Sequence, residues 1–293
     1  MCALVSAPTS SIARRGPGKG RHERARAPGQ LLGLSSLSTR ARRKLCLRNS
    51  HSQSAHSQCG CQLRLYVDSA DQDDWEEIWS TGMFYGVTTN PILLERAGVA
   101  CSVESLGACA DAAFKLGAHE FQAQTWGGSV DRMVDTGLSL AAACSKDHRE
   151  KMVIKVPMTK PGLEAASKLI GRGVRVTMTG VYTAHQAISA AAIGAEYAAP
   201  YLGRMGLAMG AAAAKEECVR MQRIAEVSGG GMRILVASIK SASDMAELAA
   251  CGMDTFTFSP TIAGEMTSVE QTLKAAEDFE GAALRMADER ASS

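Results

Sequence analysis

From Arg64 to Ser259 the sequence alternates, eight times over, a short run suited to a β-strand with a longer stretch suited to a helix. The runs are "RLYVD" (64–68), "FYGVTT" (84–89), "EFQAQ" (120–124), "MVIKV" (152–156), "VRVTMT" (174–179), "EYAAPY" (196–201), "RILVAS" (233–238) and "DTFTFS" (254–259). Segments 71–80, 103–116, 129–144, 163–172, 183–193, 211–227 and 242–251 lie between them and are long enough for crossover helices. Parallel strands need such crossovers, so the alternation predicts an α/β fold with a parallel sheet. Eight units predict closure into a single (β/α)8 TIM barrel. Gly82, Gly117, Gly173, Gly194 and Gly252 stand at helix-to-strand joints, where a positive φ ends a helix. "GGG" at 229–231 reads as another such joint, and 268–285 as a final helix before a frayed tail.

The first 62 residues are different material. They hold eleven of the chain's 32 lysines and arginines but a single acid, Glu23, with frequent serines and no lasting hydrophobic period. That mixture predicts an organellar transit peptide over 1–62, ahead of a barrel domain over 63–293. The alternative reading is a basic arm for nucleic acid. Without the leader the remaining chain carries a net charge of −8, so the barrel itself has no general attraction for nucleic acid. No apolar run approaches the ~18 residues of a membrane helix. Cys101, Cys109, Cys144, Cys218 and Cys251 are odd in number and widely spaced, which predicts reduced thiols in helices or core. His119, His148 and His185 sit in separate segments, and no dinucleotide or P-loop glycine pattern follows a strand. Neither a metal nor a cofactor is expected. Trp75, Trp79 and Trp126 read as packing residues.

In a barrel of this kind the reactive groups lie at the carboxyl ends of the strands. Those positions hold Asp68, Thr88 with Asn90, Gln124, Lys155, Thr179, Tyr201 with Arg204, and Ser238 with Lys240, in strand order. Lys155 is singular because apolar residues surround it in "MVIKVP". Alternation places Val153 and Lys155 on one face and Ile154 and Val156 on the other. If the latter pair meets the helices, the lysine points into the barrel. Burial lowers an amine's pKa, leaving a neutral nucleophile fit for carbinolamine and Schiff-base formation with a ketone. The competing reading is a strand-end lysine whose stem packs and whose head reaches solvent.

Together "LYVDSAD", "GVTTNPILL", "IKVPMT", "AAIGAEYAAPYLGRM" and "ILVASIKS" closely resemble the transaldolase family, in particular its short members that include the fructose-6-phosphate aldolases. The resemblance runs from Leu63 to about Ala283. It implies a (β/α)8 barrel and a metal-independent mechanism with Lys155 as the Schiff-base lysine. Short transaldolases typically carry Glu at the strand-3 position and Phe after strand 6, whereas the aldolase subgroup carries Gln and Tyr. Gln124 in "FQAQ" and Tyr201 in "APYLGR" resemble the aldolases. Gln124, Thr179 and Tyr201 would then hold a water and its proton near the imine. Asp68 resembles the strand-1 aspartate that orients substrate hydroxyls or relays protons; its rival reading is a cap for the first helix. Arg204 and Ser238 match phosphate-holding positions, with Lys240 either adding charge or solvated at the surface. Thr88 and Asn90 match substrate contacts, although a turn before Pro91 also favours asparagine. Departures stand beside these matches. Thr177 and Met178 replace a leucine and a small residue, and "RMGLAMGAAAA" replaces an acidic, glycine-rich segment.

The resemblance therefore implies reversible cleavage of fructose 6-phosphate, or a similar ketose phosphate, to dihydroxyacetone and glyceraldehyde 3-phosphate. A transaldolase that passes the dihydroxyacetone unit to an aldose acceptor is the first alternative, and a silent oligomeric barrel the second. The expected partners are small sugar phosphates and further copies of the same chain, with no nucleic acid and no membrane. The leader points to a plastid, with the mitochondrion as alternative.

Overall fold

The computed structural model describes residues 63–291, with side chains to Asp288. The leader expected over 1–62 lies outside the described residues. Eight strands follow in order: β1 (Arg64–Asp68), β2 (Gly86–Thr88), β3 (Glu120–Gln124), β4 (Met152–Pro157), β5 (Val176–Val181), β6 (Tyr197–Pro200), β7 (Arg233–Ile234) and β8 (Thr255–Phe258). They form one sheet in the order β7-β6-β5-β4-β3-β2-β1-β8, and the pairings are parallel. A bridge between Val236 and Phe256 joins the two ends of that sheet. The expected (β/α)8 barrel is therefore present.

Eleven α-helices are seen among the described residues: α1 (Gln72–Trp79), α2 (Pro91–Arg96), α3 (Val103–Lys115), α4 (Val130–Ala141), α5 (Lys160–Ile170), α6 (Ala184–Ala192), α7 (Leu202–Met209), α8 (Ala211–Val227), α9 (Ala242–Ala250), α10 (Pro260–Thr267) and α11 (Glu270–Ala291). Most begin at a side-chain cap that satisfies amides the first turn leaves orphaned. Asp71, Asn90, Ser102, Ser129, Thr159, Ser241 and Ser259 each accept from a backbone N–H two or three residues on. The five joint glycines all have positive φ, and Gly229 and Gly231 do as well.

Differences from the sequence expectation have local causes. Helix α5 starts at Lys160 rather than Leu163, because Thr159 caps it and Pro161 fits its first turn. Short helices α2, α7 and α10 stand directly after strands, in stretches to which the sequence reading assigns no helix; two of them open on the Asn90-Pro91 and Ser259-Pro260 pairs. The last helix runs on to Ala291 in place of a frayed tail after Arg285.

Strand alternation sorts the core into two layers. Outward residues, among them Ile154, Val156, Phe121, Phe256 and Phe258, pack with buried helix residues such as Trp75, Leu106, Leu140 and Leu169. Trp79 and Trp126 pack against the same cluster. A second cluster of Tyr66, Val153, Tyr197, Ala199 and Leu235 fills the barrel interior. Each fully buried large apolar side chain contributes about 1.5–3 kcal/mol relative to exposure, so both layers are substantial. Three of the five described cysteines, Cys109, Cys144 and Cys218, are buried in the helical layer, and all five are free thiols.

The amino-terminal end of the barrel is closed by a charged floor around Glu120. Its carboxylate accepts from the hydroxyls of Tyr66 at 2.7 Å and Tyr197 at 2.9 Å. Arg175 reaches it at 2.5 Å and Arg64 at 3.3 Å, while Arg175 also pairs with Glu196 and Arg64 bonds the Tyr197 hydroxyl. Burial, together with the Glu120 charge, raises the pKa of both Tyr66 and Tyr197, keeping them neutral donors. Gly86 stands opposite Glu120 in register, and a Cβ there would collide with the Glu120 carbonyl oxygen and lie 2.9 Å from the Tyr66 ring. Only glycine fits beneath that ring.

Candidate active site

At the other end of the barrel the strands present a different set of groups. Lys155 lies on the Val153 face, opposite Gln124 on β3 and Thr177 on β5 in register, while Ile154 and Val156 belong to the helical layer. The side chain therefore points inward, and the residue is 4 % exposed. Lys155 takes part in none of the ion pairs found among the described residues. Burial pushes its pKa below the ordinary lysine value, and the charge of Asp68 pulls the other way without cancelling that effect. The solvent-reaching alternative is thus excluded by the geometry.

Asp68 ends β1 and is not a helix cap; Asp71 fills that role. Its Oδ1 accepts from the Thr88 hydroxyl at 2.7 Å, and Thr88 also bonds the Thr257 hydroxyl at 2.5 Å. Thr88 and Thr257 are both buried, so this chain fixes the carboxylate from beneath. Thr179 and Tyr201 face each other with their hydroxyls 2.8 Å apart. Burial raises the Tyr201 pKa, so the phenol holds its proton at neutral pH and serves as a donor. Gln124 is half-buried at the end of β3, directly beside Lys155 in register. The structure therefore brings Asp68, Gln124, Lys155, Thr179 and Tyr201 to one mouth.

The outer rim carries the cationic groups. Exposed Arg204, on helix α7, holds its guanidinium 5.0 Å from the centroid of the Tyr201 ring. Ser238 follows β7 with a φ of 58°, a left-handed backbone that serine rarely adopts. Its carbonyl accepts from the Gly203 amide at 2.9 Å, which ties the loop to the first turn of α7. A Cβ on Gly203 would meet that carbonyl at 2.5 Å and the Lys240 side chain at 2.8 Å, so Lys240 lies across the same turn with an exposed residue surface. Arg204, Ser238 and Lys240 thus gather on one side. Asn90 stands apart in kind: its Oδ1 accepts from the Ile92 and Leu93 amides, a capping role that commits the oxygen.

Sequence reasoning missed the residues one layer further in. Thr257, Gln122 and Glu120 each sit on an inward strand position and are buried. Their only signal in sequence is that alternation, since their partners come from distant strands. Among the described residues no three metal-ligating side chains cluster together.

The chain is similar to known proteins along most of its described length. The family model described as Transaldolase/Fructose-6-phosphate aldolase matches residues 65–292. A "Probable transaldolase" of Jannaschia sp. is 33% identical over 218 residues, covering 74% of this chain and 94% of the relative. One of Thermus thermophilus is 31% identical, covering 66% and 85%, and one of Agathobacter rectalis is 28% identical, covering 74% and 96%.

Proposed function

From the premise that this chain belongs to the transaldolase/fructose-6-phosphate aldolase family, we propose that it is a class I, Schiff-base aldolase acting on fructose 6-phosphate or a similar ketose phosphate. The observation that carries the reading is the buried, unpaired Lys155 amine beside Gln124 and opposite Asp68. In its neutral form the amine attacks the C2 ketone, and loss of water leaves an iminium. A proton leaves the C4 hydroxyl, the C3–C4 bond breaks, and its electron pair passes into the iminium as glyceraldehyde 3-phosphate departs. The resulting enamine is protonated at C3 and hydrolysed to dihydroxyacetone. Because the iminium serves as electron sink, the proposed reaction needs no metal.

Gln124, Thr179 and Tyr201 would hold the water that moves these protons, and Asp68, braced by Thr88, would orient the sugar hydroxyls or relay their protons. Arg204 and Ser238, with Lys240 beside them, would grip the phosphate. Asn90 would offer its amide nitrogen, its oxygen being committed to the cap. The Tyr201–Thr179 hydroxyl pair supports the aldolase reading, because a phenol can protonate the enamine where phenylalanine cannot.

The names of the relatives favour a second reading, transaldolase transfer, in which the enamine waits for an aldose acceptor. Fructose 6-phosphate alone should yield free dihydroxyacetone; strict dependence on erythrose 4-phosphate would establish the transferase instead. Incubation with dihydroxyacetone and borohydride, followed by peptide mapping, should place the adduct on Lys155. A silent scaffold gives none.

Assembly into a homo-oligomer through α11 is part of the same proposal, supported by exposed Leu273, Phe279, Leu284 and Met286 on that helix. A plastid address in residues 1–62, or failing that a mitochondrial one, is tested by fusing that segment to a fluorescent protein.

A further inference from the structure

Gln122 occupies the inward position of β3 below Gln124, and it is 0 % exposed. Its Oε1 accepts from the Thr177 hydroxyl at 2.8 Å, while its Nε2 has no hydrogen-bond partner. A buried amide donor left unpaired keeps its desolvation cost with no partner to offset it, which makes its retention inside a closed barrel notable. Its sheet neighbours offer little. Thr88 on β2 is already engaged by Asp68 and Thr257, and Val153 on β4 is apolar. The next inward position of β4, two residues beyond Val153, is Lys155, and Lys155 is flanked in register by Thr177, the residue that holds the amide. Inward neighbours on adjacent strands stand about 4.8 Å apart, and successive inward positions about 6.6 Å. These spacings put the two side chains within reach of one bridging water.

We propose that Gln122, anchored by Thr177, is a positioning residue whose free amide N–H, through one internal water, donates to the lone pair of Lys155 and so holds that amine uncharged. A water that already accepts the Gln122 N–H is polarised into a better donor and a poorer acceptor, so it favours the neutral amine, whose lone pair the ammonium lacks. The inference rests on Lys155 being the nucleophile and explains how a neutral polar pair prepares it. The other groups facing Lys155 act differently. Asp68 on β1 favours the charged form; Tyr201 at the end of β6 and Tyr197 lower on that strand are neutral; Gln124, Thr177 and Thr179 bring no charge. Glu120 is engaged in the floor, and Arg204 and Lys240 lie at the rim with Ser238 between them in sequence.

The test is the pH profile of borohydride trapping of dihydroxyacetone at Lys155, in the full-length wild type and in Gln122→Met, an apolar side chain of similar volume. Loss of the donor should move the acid limb to higher pH by about one unit, making trapping about tenfold slower on that limb. The two rates should converge at high pH. Thr177→Val, which frees the amide from its anchor, should move the limb in the same direction and serves as the reading if the first variant fails to fold. Gln122→Glu should move it further, because a carboxylate favours the ammonium. An unmoved limb, or a shift to lower pH as expected if the amide serves Asp68, overturns the inference while leaving the aldolase reading intact. A wild type that traps no adduct on Lys155 overturns both.

Discussion

The two ends of this barrel are built from the same eight strands and treat charge in opposite ways. At the amino-terminal floor, Glu120 is buried but surrounded by donors from Arg64, Arg175, Tyr66 and Tyr197. At the carboxyl-terminal mouth, Lys155 is buried with no ion pair, and its nearest electrostatic partner, Asp68, is turned to Thr88. The floor pairs its buried charge; the mouth holds a buried amine that takes part in none of the ion pairs among the described residues. A paired network locks structure, whereas a buried amine outside any ion pair is what the proposed chemistry requires. On the proposed reading, stability and reactivity lie at opposite ends of one fold.

The largest expected effect breaks the mouth. Lys155→Met should lower kcat/KM for ketose phosphate cleavage by about 10⁴-fold or more, with no trapped adduct, since no other group can form the imine. The same change should raise the melting temperature. A buried amine with a depressed pKa costs stability fully below that folded pKa, and the cost is relieved as pH rises toward the unfolded value of 10.5. The gain from Lys155→Met, about 1–2 kcal/mol at neutral pH, should therefore shrink toward pH 10.5. Denaturant melts of both proteins across pH measure this, and a variant less stable at neutral pH contradicts the comparison.

Breaking the floor should do the reverse. Glu120→Ala leaves Arg64 and Arg175 without their shared carboxylate and should cost about 3–5 kcal/mol of stability. Below its lowered melting point the variant should retain activity within about threefold. A selective loss of kcat with intact stability would mean that the floor is coupled to the chemistry after all.

Finer changes sharpen the contrast. Tyr201→Phe should reduce kcat by about 10²-fold through loss of the donor, with KM and melting temperature little changed. Asn90→Ala should cost about 1 kcal/mol by removing the α2 cap, readable by thermal melts, with a smaller effect on kcat than Tyr201→Phe.

Much of the mouth was legible in the sequence because its signals are local. An ammonium in an apolar strand, and polar residues at strand ends, can be seen one segment at a time. Periodicity likewise located all eight strands, although β2 and β7 proved shorter than their apolar runs. The floor was not legible. Glu120 opens a strand like any solvent-facing acid, and its donors lie 55 or 56 residues away in the case of the arginines, so only the register of the closed sheet unites them. Gln122 was hidden for the same reason: its meaning depends on Thr177 across β4. Asn90 shows the converse: its sequence context suggested a turn before Pro91, and in the fold its Oδ1 caps the helix that begins there.

The seam of the ring has its own consequence. Strand β7 has two residues, and a lone bridge from Val236 to Phe256 completes the circle, whereas β3, β4 and β5 pair over four positions each. Fluctuations that part the cylinder will start along this short edge, so amide protons at Leu235 and Val236 should exchange with deuterium sooner than those at Ile154 and Val156. Ser238 and Lys240 lie just past it, so the rim that would clasp a phosphate hangs on the most compliant stave, and an occupied rim would splint the weakest joint of the cylinder.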